Sequence, residues 1–144
     1  MIFFIFLGFI FSIFEFIFKD LLNFDLITIL IIEYSLHENN KTKGIIVSSI
    51  IGILQDLIIG DILFFNSFFK SLIFYLTFAF KEKLFLQSFV LKIISAIFFI
   101  FFQYSIKILL LKENFNLQYM IIILFLIPFS FWFISFVKKF IKYE

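Results

Sequence analysis

Six apolar runs separated by short polar gaps constrain this chain more than any other feature of its sequence. They cover Ile2 to Phe18, Phe24 to Leu36, Ile45 to Ile59, Ile62 to Phe80, Leu84 to Leu111 and Leu117 to Val137. The apolar fraction, 64%, stands well above the roughly 45 to 50% of soluble domains, and the surplus belongs in lipid. A helical crossing uses about 20 residues. Six crossings therefore take about 120 of the 144 residues and leave no room for a separate soluble domain. β-Barrel strands would alternate apolar and polar residues, whereas Ile93 to Phe102 is almost continuously apolar. The expectation is one all-α integral membrane domain, residues 1–144, folded as a polytopic bundle of six transmembrane helices with antiparallel neighbours. The second run is shorter than a usual span and the fifth longer, so tilt, interfacial extension or local thinning is expected there. The first run has no lysine before it and no small-residue cleavage site after it, so it reads as a retained helix.

The lysines orient the bundle. With both termini in the cytosol, the inner side holds Lys41, Lys43, Lys81, Lys83, Lys138, Lys139 and Lys142, and the outer side only Lys19 and Lys112. This is the asymmetry that the positive-inside bias demands. Merging the second and third runs would bury His37 to Lys43 in hydrocarbon, at roughly 2.5 to 3.5 kcal/mol per central charge. A multi-pass membrane protein with both ends in the cytosol follows. The formal charge of +2 and the scattered lysines exclude a nucleic-acid partner. The absence of cysteine excludes disulfides and thiolate metal sites. Phenylalanine richness beside twelve Lys and no Arg reflects AT-rich coding and is discounted as a functional signal.

Polar residues inside the spans are the informative ones, because helices in lipid associate through small residues and polar groups. Gly44, Ser48, Gly52, Asp56 and Gly60 recur every four residues along one face of the third span, a small-residue seam for helix contact. Asp56 is an intramembrane carboxylate and needs a partner. Depth places Asn66 opposite it, Lys70 one turn deeper, and Lys107 near its level. The expected polar cluster is Asp56 and Asn66 with Lys70 or Lys107. The fifth span carries Ser88, Lys92, Phe99, Gln103 and Lys107 on one face. The first span carries Gly8, Ser12, Glu15 and Lys19 on another. Glu15, Asp25, Glu33 and Lys107 lie near span ends, where they can snorkel, and are given no special role. Pro128 is expected to kink the sixth helix.

Catalytic chemistry is missing. His37 is the single histidine and sits in a polar loop, and no phosphate-cradling glycine motif or nucleophile elbow occurs. No enzyme, cofactor or metal is expected.

The stretch Gly52-Ile53-Leu54-Gln55-Asp56-Leu57-Ile58-Ile59-Gly60 in the third span resembles the pattern of the rod shape-determining protein MreD family, in which an aspartate stands between two glycines. Asp25 to Tyr34 is similar to the family's second helix. Tyr75 followed by Lys81-Glu82-Lys83 is similar to its fourth helix and basic loop, so the likeness covers about residues 20–112. The chain departs from the pattern at Phe24, where the family has proline, and at Phe64, where it has a second glycine. The resemblance implies a non-enzymatic membrane scaffold of the bacterial elongation machinery. Such a scaffold binds the single transmembrane helix of MreC and links MreB filaments to the peptidoglycan synthases RodA and a class B penicillin-binding protein. Gly52, Asp56, Gly60, Asn66, Lys70, Lys92, Gln103 and Lys107 are then the candidate partner-binding or intramembrane polar residues. The alternative is a substrate-binding subunit similar to the S components of energy-coupling-factor transporters, with a midplane pocket around Asp56, Lys70 and Lys92. Against it, the first run lacks the alanines through which S components dock.

Overall fold

A computed structural model describes residues 2–18, 25–59, 62–81, 88–112 and 117–141. These residues form six helices: α1 (Ile2–Ile17), α2 (Leu26–His37), α3 (Lys41–Ile59), α4 (Phe65–Phe80), α5 (Phe89–Leu111) and α6 (Leu117–Ile141). The chain is all-helical over this range, one helix for each apolar run. Among the described residues, α3 and α5 are long and apolar enough to cross a membrane.

Local capping explains where the boundaries fall. α3 starts at Lys41, ahead of its apolar run, because the Asn40 side chain accepts a hydrogen bond from the Lys43 amide at 3.0 Å. Asp25 caps α2, accepting from the Thr28 amide at 2.9 Å. Ser88 caps α5 through the Leu91 amide at 3.4 Å, so the helix starts inside the fifth apolar run rather than at its head. Pro128 lies within α6.

The helix expected to be too short for a span is the centre of the bundle. α2 has twelve residues, and nine of them, Ile27 to Ser35, are buried. A helix that is apolar on every side belongs in the interior, and α1, α3, α4, α5 and α6 all pack on it. Other helices cover it on all sides, so the bilayer does not set its length as it does for a peripheral helix.

The small-residue seam on α3 faces α4. A Cβ on Gly52 would overlap the backbone of Ser67, and one on Gly44 would overlap the Phe74 ring. Phe74 is itself fully buried and cannot yield. Ser49 and Ser71 hydroxyls meet at 2.6 Å across the same contact. On the other side of α3, a Cβ on Gly8 of α1 would stand 2.7 Å from an Ile51 side-chain carbon. Glycine is thus required at these positions for close approach of the helices. Gly60, the last member of the seam, lies outside the described residues.

The outer surface is made of large apolar side chains, among them Phe6, Leu57, Phe98, Leu109, Phe125 and Trp132.

The turn into α4 holds Phe64 at φ 61, a left-handed conformation that costs a residue with a Cβ about 1 to 2 kcal/mol and costs glycine little. Phe64 is 61% exposed, so little packing is lost with its ring. Phe64→Gly should raise stability by about 0.5 to 1 kcal/mol after the extra chain entropy of glycine is subtracted. Gly52→Ala should lower it. Thermal unfolding of both variants in one detergent checks this, and destabilisation by Phe64→Gly would show that the turn carries no strain.

Candidate functional site

Polar side chains gather at two levels of the bundle, at the two ends of α2. At its N-terminal end the first problem is the backbone, because the leading N–H groups of a helix have no partner within it. Three carboxylates supply acceptors. Asp25 caps α2, and Glu15 of α1 accepts from the Ile27 amide at 3.1 Å. Asp56, in the last turn of α3, reaches across to the start of α4 and accepts from the Asn66 and Ser67 amides at 3.0 and 3.1 Å. The positive ends of the α2 and α4 macrodipoles favour the negative charge of Asp25 and Asp56 placed there.

These charges bring in further polar groups. Lys70 of α4 is fully buried and makes an ion pair with Asp25. Its ammonium also donates to Thr28 Oγ1 at 2.7 Å and to Gln103 Oε1 at 3.1 Å. The Gln103 amide in turn donates to Asn66 Oδ1 at 2.9 Å. Glu15 Oε2 accepts from Gln55 Nε2 at 2.7 Å. Among the described residues one buried side-chain polar atom, Gln55 Oε1, makes no hydrogen bond.

At the C-terminal end of α2, Glu33 pairs with Lys92 of α5 at 2.9 Å and with His37 Nε2 at 3.2 Å. One turn further, Glu38 fixes the loop into α3. It accepts from the Tyr34 hydroxyl at 2.7 Å and from the Asn39 and Asn40 amides, both at 3.1 Å. Lys43 stands 3.7 Å from its carboxylate, and Lys81 donates to its backbone carbonyl at 3.0 Å.

Magnitudes explain why the network forms. An interhelical hydrogen bond in a bilayer contributes about 0.6 kcal/mol on average, whereas removing one member of a buried ion pair costs about 3 to 5 kcal/mol. The pairing is therefore dictated by the penalty for leaving a charge alone.

The residues singled out from sequence are partly reunited. Asn66, Lys70 and Gln103 share one network. Asp56 lies beside it but binds the backbone of Asn66, and Lys70 takes Asp25 instead. The expected Asp56 and Lys70 group is corrected accordingly: the unpaired amides at the head of α4 are nearer to Asp56 than any ammonium. Gly52 lies against Ser67, and Lys92 belongs to the other level. Lys107 is half-buried on α5, one turn beyond Gln103. Gly60 lies outside the described residues.

The snorkelling assigned to Glu15, Asp25 and Glu33 is also corrected, since each is engaged inside the bundle. Asp25 was detectable as an N-cap, because Asp25-x-x-Thr28 stands directly ahead of an apolar helix. Glu15 shares a face with Gly8 and Ser12, and that face is the buried one. The polar stripes expected to meet a partner are, over Gly52, Asp56, Lys70, Lys92 and Gln103, spent on contacts within the chain.

The chain matches no protein-family model, no curated protein and no solved structure.

Glu38 lies in a loop and provides a pH test. Burial works to raise its pKa, but the Tyr34 hydroxyl, the Asn40 amide, the Lys43 ammonium and the Asn39 amide outweigh it and hold the carboxyl below its ordinary value of 4.5. A depressed folded-state pKa gives stability that is full above the ordinary value and is lost as pH falls through the lowered one. Glu38→Gln should therefore unfold at a lower temperature than the unaltered chain near neutral pH, and the gap should close as the medium is acidified below the ordinary glutamate range. A gap independent of pH would contradict this arrangement.

Proposed function

We propose that this chain is a multi-pass scaffold of the bacterial cytoplasmic membrane, with six crossings and both termini inside. In this role it serves the cell-elongation machinery in the manner of MreD, binding the single transmembrane helix of an MreC-type partner. The observation that carries the family reading is the backbone at position 64. The family pattern has glycine there, this chain has phenylalanine, and the residue is held at φ 61, where glycine is favoured. A left-handed turn of this kind is one that the family's glycine would suit, which supports the reading. The neighbouring Gly52 and Asp56 support the same reading, because both serve the α3 and α4 hairpin, one by close approach and the other by capping.

Support for the membrane topology comes from the surface and from the loops. Large apolar side chains cover the outside, an arrangement suited to hydrocarbon rather than water. Lys43 and Lys81, which the six-crossing topology assigns to the same cytosolic side, both reach Glu38. A scaffold rather than a transporter subunit is favoured because Asp56, Lys70 and Lys92 are engaged with the chain's own groups, where a polar ligand would need them free.

A partner helix must then approach an exposed apolar face. Photo-crosslinkers at Ile50 of α3, Phe98 of α5 and Phe129 of α6 should capture a co-expressed MreC-type protein from one of these faces and not from all three. Capture of lipid alone at every position would refute the role.

A further inference from the structure

Two apolar grooves mark where the six helices do not close on one another. One, of about 380 Å³, lies between α4 and α5 and is lined by Leu76, Thr77, Phe80, Ile94, Ser95 and Phe98 among others. The other, of about 500 Å³, lies between α1 and α6, with Ile10, Phe14, Phe129 and Phe133 on its walls. Both fall on one boundary. α1 to α4 pack extensively on each other, α5 packs on α6, and this last pair joins the rest chiefly through α2.

The attachment is thin. Of the 23 residues of α5, Ala96, Ile100 and Gln103 are buried, and α6 contributes Ile127, Phe131 and Ile134 to the core. Apolar contacts of this kind can be exchanged for lipid at little cost, because lipid tails are as apolar as the side chains they replace. What holds α5 more specifically is polar: Lys92 on Glu33 at one level, and Gln103 on Lys70 and Asn66 at the other.

We propose that α5 and α6 form a lateral flap that swings as one body about α2, widening the groove between α4 and α5, with the Lys92 and Gln103 contacts as its two latches. The inference rests on packing and does not depend on the MreD-like role. Its physical basis is that the charged groups on the α1 to α4 side keep a hydrogen-bonding partner when the flap opens. Lys70 keeps Asp25 and Thr28, and Glu33 keeps His37. Lys92 lies in the first turn of α5 and can extend toward the helix end. Opening costs Gln103 its contacts with Lys70 and Asn66, and Lys92 its pair with Glu33. The same separation attempted between α3 and α4 would break the Asp56 cap and the Ser49 and Ser71 contact, with no replacement.

The chain contains no cysteine, so spin labels can be placed singly in the full-length protein in lipid nanodiscs. A label pair at Ile53 and Phe98 spans the boundary, a pair at Ile10 and Phe68 stays within α1 to α4, and a pair at Phe101 and Phe125 stays within the flap. The boundary pair should give a broader interspin distance distribution than either control. Gln103→Leu should shift it to longer distances while both controls stay unchanged. Lys92→Met, which leaves Glu33 with His37, provides a second latch variant should Gln103→Leu fold poorly. A boundary distribution as narrow as the controls, and unmoved by the latch variant that folds, would overturn the proposal.

Discussion

Two helix N-termini that open inside the bundle, those of α2 and α4, set the terms on which the rest of the structure is arranged. Their leading amides have no acceptor within their own helix, and the apolar interior offers none. Asp25, Glu15 and Asp56 supply them. Carboxylates brought into such surroundings require compensation in turn. Lys70 provides it for Asp25, and the buried ammonium then needs Thr28 and Gln103 to occupy its remaining donors. Each step supplies a partner to a group that would otherwise be buried alone, and the sequence of steps ties α1 through α5 together at one level.

Much of the fold is legible in the sequence because the signal is composition over long windows. Six apolar runs give six helices, and the four-residue recurrence of Gly44, Ser48 and Gly52 marks the face of α3 that meets α4. Capping is legible where the donor lies a few residues away, as with Asp25 and Thr28. The pairing of charges is not, because it joins residues far apart in the chain: Lys70 and Asp25 are 45 positions apart, and Lys92 and Glu33 are 59. Depth estimates bring Asp56 and Lys70 to similar levels, but they cannot say which carboxylate a given helix rotation presents to the ammonium. Nor can they show that backbone amides would claim Asp56 first. The short second run was ambiguous for a similar reason, since length alone does not distinguish a central helix from a strained peripheral one.

The same reasoning reshapes where function can reside. A polar stripe on a membrane helix invites a partner, but here the polar groups of α3, α4 and α5 are largely consumed in holding the molecule together. Surfaces open to another protein are the apolar flanks and the grooves between α1 to α4 and the α5 and α6 pair. An MreD-like scaffold would then recognise its partner by shape and apolar packing, with groove geometry setting specificity.

The central claim is that Asp25 and Lys70 neutralise each other inside the bundle, and a double-mutant cycle tests it most directly. Asp25→Asn keeps a capping acceptor while removing the charge, and Lys70→Met keeps an unbranched side chain of similar length. Each single variant should lose about 3 kcal/mol or more, because each strands a buried charge. The double variant should unfold at a higher temperature than either single one. If its loss instead equals the sum of the two single losses, the residues do not interact and the internal pairing is wrong.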